Sequence, residues 1–158
     1  MEIRAARPVD TLAILELLSQ IGQVHYELRP DMFRSGAQKF GASQVLARLD
    51  NPKTPIFVAV EGDEVLAYSF CELKTVEKHP VIANHTTLYL DDLCVDEKHR
   101  DRGIGKAMYD YILDYAKAQN CYNLTLNVWS CNEAAMRFYE KMGMLPQRVI
   151  METVLEEK

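Results

Sequence analysis

The sequence predicts one α/β domain of the α+β type, and three observations carry the prediction. Apolar residues recur at helical spacing in several separate stretches, runs rich in β-branched and aromatic residues lie between them, and Gly, Pro and Asp punctuate each change of period. At 158 residues, with no Pro/Gly/Ser-rich linker, repeat or low-complexity tract, residues 1–158 read as a single domain around one core.

Taken in order, "EIRAA" is a short first strand. Pro8 and Asp10 then open a helix whose apolar stripe is Ile14, Leu17, Leu18, Ile21, Val24 and Leu28, closed by Arg29-Pro30. A second, shorter helix is expected around residues 43–49, ended by "DNPKTP". "IFVAV" and "VLAYSFCEL" form an antiparallel hairpin with Gly62-Asp63 as its turn. "TLYLDDLCV" is a nearly continuous apolar run, as in a central strand covered on both faces, and Asp91 and Asp92 are out of place in it. Helical period returns from Gly103, with Ile104, Ala107, Met108, Tyr111, Ile112, Tyr115 and Ala116 on one stripe. "NLTLNVW" is a fifth strand, "NEAAMRFYEKMG" a helix with Gly143 at its left-handed cap, and "QRVIMETVL" a final strand; the order is βααβββαβαβ.

Composition narrows the function classes. "MEIRAARPVD" has no apolar core of signal-peptide length, and no run approaches the roughly 18 apolar residues of a membrane span, so a soluble, cytoplasmic protein without membrane partners is expected. A formal net charge of −5 and no basic stripe argue against nucleic acid as a partner. Cys71, Cys94, Cys121 and Cys131 form no CxxC pair, so neither disulfides nor a metal site is expected.

The stretch "EKHRDRGIGKAM" sits between an apolar strand and an amphipathic helix. A P-loop is excluded because Arg100 stands where its first Gly belongs and Ala107 follows Lys106 in place of Ser/Thr. A dinucleotide fingerprint is excluded because Met108 replaces its third Gly. The physics of those motifs still holds: unpaired N–H groups at a helix start favour an anion, Gly103 and Gly105 let it approach the backbone, and Arg100 and Arg102 add charge. A solvated basic turn is the alternative.

Arg100-x-x-Gly103-x-Gly105, after a strand ending at Val95, resembles the R/Q-x-x-G-x-G/A signature of the GNAT N-acetyltransferase superfamily. Downstream, Asn132, Ala135, Phe138, Tyr139 and Gly143 resemble its second motif, N-x-x-A-x-x-F-Y-x-x-x-G. The resemblance implies the GNAT fold, a mixed central sheet of about six to seven strands flanked by four helices, and acetyl-CoA as cosubstrate. It implies that backbone amides of Asp101, Arg102, Gly103, Ile104, Gly105 and Lys106 hold the pyrophosphate, with Arg100 beside them. Leu93, Cys94 and Val95 would bind the pantetheine arm on a strand splayed from "NLTLNV", the Leu93 N–H would stabilise the thioester oxyanion, and Asn132 and Ala135 would meet the cofactor. Asn132 would equally cap its helix.

Thioester aminolysis needs a neutral amine, so a proton must leave it near neutral pH. Regular alternation places Tyr89, Asp91, Leu93 and Val95 on one face and Leu90, Asp92 and Cys94 on the other, so only one aspartate faces a given site. "LYLDDLCV" is similar to the strand of polyamine and diamine acetyltransferases, which assigns substrate contact and base to Asp91; Asp92 is the second candidate, or pairs with a basic side chain. Tyr139 would be the proton donor to the departing thiolate. Cys94 and Cys131 have no neighbouring His in sequence, which favours direct transfer in a ternary complex, and His25, His79, His85 and His99 are expected to be exposed. The superfamily's acceptor wall corresponds to "HYELRPDMFRSGAQKF", giving Tyr26, Arg29, Asp31 and Phe33 as substrate-binding candidates; ordinary helix punctuation explains them too. The expected acceptor is a small amine or polyamine; a protein N-terminus or lysine, or a CoA-binding sensor without transfer, are the alternatives. A homodimer paired through the final strand is a further expectation.

Overall fold

The computed structural model describes residues 1–155. Strand β1 (Glu2–Ala5) leads through a 3₁₀ turn at Pro8–Asp10 into α1 (Thr11–Leu28), then α2 (Ala42–Leu49). Strands β2 (Ile56–Glu61), β3 (Glu64–Val76) and β4 (His85–Val95) follow, then α3 (Ile104–Ala118), β5 (Asn123–Leu126) and α4 (Glu133–Lys141). The sheet runs β1-β2-β3-β4-β5, antiparallel except for the parallel pair β4–β5. Glu61 pairs with Glu64 across the hairpin, leaving Gly62 and Asp63 as a two-residue turn in which Gly62 takes φ +61°.

Each face of the sheet carries one core layer. Ile14, Leu17 and Leu18 of α1 and Val45 of α2 pack on Val58, Tyr68 and Phe70; Met108 and Ile112 of α3 pack on Phe57, Leu66, Leu88 and Leu90 from the other side. The stripe read along α3 is the face that packs: Tyr111 and Tyr115 meet the Phe57 ring edge-on at 5.1 and 4.9 Å. Gly143, at φ +85°, ends α4 in the left-handed conformation.

One element differs from expectation. Residues 147–155 form no strand, so the sheet has five strands among the described residues rather than six to seven, and the order stops at βααβββαβα. Their β-branched composition supplies propensity, but a ladder needs a neighbour, and among the described residues this segment pairs with none.

The start of α1 is tied to β1 by a buried fork. Arg4 donates from Nη1 and Nη2 to the Asp10 carboxylate at 2.7 and 3.0 Å, and the Arg7 N–H donates to it at 2.7 Å. Burial alone would raise the Asp10 carboxyl, but these donors outweigh it and hold it below the usual carboxylate range. A lowered pKa stabilises the fold above the unfolded value near 4 and is lost as pH falls through the folded one. Arg4→Ala is therefore expected to cost about 3 kcal/mol at pH 7 by urea unfolding, because it strands a buried carboxylate. The gap between variant and parent should narrow below about pH 4 as Asp10 protonates.

Candidate active site

Strand β4 is paired on both sides for only four of its eleven residues. Thr87, Leu88, Tyr89 and Leu90 pair with Asn123, Leu124, Thr125 and Leu126 of β5, and there the ladder stops. On its other edge β4 continues against β3, with Leu93, Cys94 and Val95 opposite Ser69, Tyr68 and Ala67. The edge of residues 91–95 that faces away from β3 thus has no strand partner among the described residues, and a fork opens between β4 and β5. Asn127, just past β5, donates to the Tyr89 hydroxyl at 3.1 Å near its apex.

The regular alternation expected along β4 does not hold. Phe70 pairs with Asp92 but the next residue, Cys71, pairs with Leu90, so Asp91 is an extra residue bulged out of the ladder. Leu90, Leu93 and Val95 consequently share the α3 layer, while Cys94 packs in the α1 layer and Asp92 reaches Tyr68 there. The expectation that only one aspartate can face a site is corrected: both acids lie on the α1 side. Lys39 Nζ sits 2.7 Å from Asp91 Oδ1, and the Tyr68 hydroxyl donates to Asp92 Oδ2 at 2.8 Å. The basic partner expected of Asp92 is on Asp91 instead.

Burial dominates the electrostatics here. It pushes the Asp92 carboxyl up, against the Tyr68 hydrogen bond and the charges of Lys39 and His25. It lowers His25, against the pull of Asp92. His25, expected to be exposed, is half-buried and stacked on Phe33 at 5.1 Å; His99 too is largely covered, its side chain 16% exposed. Burial, reinforced by the charge of Asp92, raises Tyr139 far enough that its hydroxyl keeps its proton throughout the neutral range. That ring packs against Phe138 and Tyr109, with centroids 5.0 and 6.5 Å away. Burial also pushes the Cys94 thiol up to about 12, which removes it as a nucleophile near neutral pH.

Beyond Val95 the chain turns through Glu97–His99 into the glycine loop. Asp101 and Gly103 take positive φ, +62° and +76°, and α3 begins at Ile104 with no side chain capping it. The first N–H groups of α3, those of Ile104, Gly105 and Lys106, precede its first i→i−4 partner, Ala107 N–H on Gly103 C=O. Arg102 pairs with Glu61 and Lys106 with Asp110, both exposed, and Arg100 Nε lies 3.4 Å from Val95 C=O. A groove of about 440 Å³ runs beside Arg100 and Glu97 along Gln20, Gln23, Val24 and Glu27 of α1, a wall the sequence did not disclose.

Gly105 has a different task from Gly103. A Cβ there would lie 3.4 and 3.5 Å from the Phe138 ring and 3.7 Å from Val95, whereas Gly103 faces open space. Gly105 lies where α4 packs on α3, and a bare Cβ there would make ordinary contact with Phe138, while a larger side chain would not fit. Gly105→Val should drive its branches into Phe138 and lower stability by roughly 1–3 kcal/mol, read as a fall in Tm. An unchanged Tm would return Gly105 to a role in ligand approach alone. Asn132 caps α4, its Oδ1 accepting the Ala135 N–H at 3.1 Å, so that N–H is already engaged.

The acceptor-wall candidates separate. Phe33 stands between His25 and Trp129, meeting the indole edge-on at 5.3 Å. Arg29 lies over that indole at 5.8 Å and is bound to Asp31 at 2.8 Å and Glu152 at 2.7 Å, so its charge is spent inside the protein. Tyr26 is half-buried beside His25. Lys39, Tyr68, His25 and Trp129 join the site without having been singled out as site residues. His25 and Lys39 lie in the stretch read as the acceptor wall, Trp129 is the one Trp of the chain at the end of the expected fifth strand, and Tyr68 carried no signal. Among the described residues no group of His, Cys, Asp and Glu is arranged to hold a metal, and no helix is long and apolar enough to cross a membrane.

Comparison with known proteins converges on one family. Residues 21–144 match the acetyltransferase (GNAT) family. The ribosomal protein bS18 alanine N-acetyltransferase of Escherichia coli is 22% identical over 135 residues, covering 85% of this chain and 80% of that protein. The glucosamine 6-phosphate N-acetyltransferase of Arabidopsis thaliana is 30% identical over 63 residues, a match that spans only 40% of either protein. The crystal structure of a variant of the BH1408 protein from Bacillus halodurans superposes with a TM-score of 0.94 at 32% identity, covering 99% of this chain and 100% of that one. A putative acetyltransferase from Agrobacterium tumefaciens, 23% identical, shares the fold with a TM-score of 0.73 over 98% of this chain and 99% of its own. Since the family match takes in the forked strand, the glycine loop and α4, the chain belongs to the acetyltransferase (GNAT) family.

Proposed function

We propose that this chain moves an acetyl group from acetyl-CoA to the primary amine of a small cationic acceptor by direct attack in a ternary complex. The observation that carries the reading is the acid pair made by the bulge, with a protein ammonium, that of Lys39, already resting on Asp91. A site that holds one ammonium there suits another.

The residues present fit the cosubstrate. The partnerless edge of residues 91–95 offers backbone groups to amides, and the uncapped start of α3 offers N–H groups to a pyrophosphate. Leu93, Cys94 and Val95 take the first role; Asp101, Arg102, Gly103, Ile104, Gly105 and Lys106 take the second. Arg100 and Arg102 add charge, and the exposed pair of Arg102 with Glu61 is weak enough to be given up. Asn132 and Ala135 shape α4 beside them. When bound, acetyl-CoA supplies an activated acyl group on a good leaving thiol.

Asp91, 18% exposed, receives the acceptor's ammonium in place of Lys39 and accepts its proton. Asp92 stays bonded to Tyr68 and adds negative potential. The Leu93 N–H steadies charge on the acyl oxygen, and Tyr139 Oη gives its proton to the leaving sulfur. Phe33 and Trp129 present apolar walls to the acceptor's alkyl part, with Tyr26, Arg29 and Asp31 behind them.

A panel of diamines, polyamines, amino sugars and peptides, assayed for CoA release, tests the reading. Small polycations should have the highest kcat/KM. Turnover of peptide N-termini or lysines without turnover of small cations would replace the acceptor, and acetyl-CoA binding with no release across the panel would make the chain a sensor.

A further inference from the structure

The segment between α1 and α2, residues 30–41, has no helix or strand of its own, yet it is pinned to the fold at three points. Gly22 of α1 admits it, since a Cβ there would lie 2.8 Å from the Ala37 carbonyl oxygen. Gln38 Nε2 donates to the Leu15 carbonyl at 3.0 Å and to Ser19 Oγ at 2.6 Å. Phe40 meets the Phe70 ring edge-on at 5.3 Å. Lys39 stands between the last two anchors. Its backbone is therefore held, and its side chain is delivered to β4, where Nζ lies 2.7 Å from Asp91 Oδ1.

Two other lysines rest on carboxylates, and they differ in kind. Lys106 pairs with Asp110 and Lys117 with Asp114 along α3, with lysine side chains 63 and 67% exposed. Such neighbours on one helix face carry little energetic weight. Lys39 is less exposed, its carboxylate is largely covered, and it reaches across the fold to an acid that only the bulge in β4 presents. It brings a primary amine to the carboxylate that accepts the acceptor's proton in the proposed reaction, two residues along the strand from the Leu93 N–H that steadies the acyl oxygen.

We propose that Lys39 is a modification site of this chain, its Nζ taking the acetyl group from the chain's own acetyl-CoA when no acceptor displaces it from Asp91. The proposal rests on the reading that this site transfers acetyl groups to amines, and it adds an internal acceptor. Asp91 takes one proton from the ammonium, and the freed Nζ lone pair attacks the acetyl carbonyl carbon. The C–N bond forms as the C–S bond breaks. The Tyr139 proton goes to the sulfur, the second proton of the nitrogen replaces it, and Asp91 releases its own to water. One acetamide, one CoA thiol and one proton result, with no further co-reactant. An amine already held at its base needs no encounter, so the step is first-order in the protein. The product is neutral, and Lys39 then no longer pairs with Asp91.

Incubating the full chain with acetyl-CoA and no added amine should add the mass of one acetyl group. Peptide mapping should place it on Lys39, with Lys106 and Lys117 in the same sample at least about tenfold behind. The fraction modified at a given time should not change with protein concentration. Lys39→Arg keeps a cation on Asp91 and should abolish that modification, and Asp91→Asn should slow it about tenfold or more while Lys106 and Lys117 keep their own pace. Modification led by Lys106 and Lys117 is plain solution chemistry and overturns the proposal. A yield that climbs with protein concentration means transfer between chains and overturns it too. An unmodified Lys39 overturns the internal acceptor; if small amines are turned over by the same preparation, the proposed reaction still stands. Lys39 modified while no amine of the panel is turned over upholds the internal acceptor and removes the small one.

Discussion

Tyr139→Phe is expected to lower kcat roughly a thousandfold while acetyl-CoA affinity stays near that of the parent, in line with the about 10²–10⁴-fold worth of a positioned proton donor. The ring is held by Phe138 and Tyr109 regardless of the hydroxyl, so the substitution removes one oxygen from a packed group. No hydrogen bond engages that hydroxyl among the described residues, so no buried partner is stranded. Its raised pKa keeps the proton available across neutral pH, which suits a donor and not a base. Stopped-flow or steady-state CoA release reads kcat, and equilibrium titration reads the affinity. If kcat moves less than about threefold, the leaving thiol finds its proton elsewhere and the general-acid role falls.

Asp91→Asn should lower kcat/KM for cationic amines by about a hundredfold or more, since it removes both the counter-charge of the ammonium and the acceptor of its proton. Lys39 would lose its ion pair, but both groups are partly exposed and the cost to folding should be small. Asp92→Asn should differ in kind. Asp92 lies against the buried Tyr68, so its loss disturbs a partly buried hydrogen bond and should show in Tm as well as rate. If Asp92→Asn abolishes turnover while Asp91→Asn leaves it intact, the two roles are exchanged.

The parts of this fold that were legible in the sequence are those with local causes. The α3 stripe, the Gly62-Asp63 turn and the Gly143 cap follow from spacing and from residues that only some backbone angles accept. The glycine loop and α4 were legible as motifs, although the contact of Gly105 with the Phe138 ring across the α3–α4 seam was not. Register is non-local, so the bulge at Asp91 had no signature in "LYLDDLCV", and strict alternation assigned the two acids to opposite faces. Lys39 lies in residues 30–41, where no period exists to say which way a side chain points. The failed final strand had ample propensity; what it lacked was a neighbour, which no property of residues 147–155 alone could reveal.

The bulge also bears on how such a site can be gained or lost. Because Asp91 is surplus to the ladder, an in-frame deletion of that one codon leaves Phe70 opposite Asp92 and Cys71 opposite Leu90, with every other β4 side chain on its present face. Folding would survive where the acid pair would not. A strand with perfect alternation could acquire the pair by the reverse event, a single inserted residue, so lineages that differ in this chemistry should be sought among length variants of β4 and would be overlooked by any survey of point substitutions.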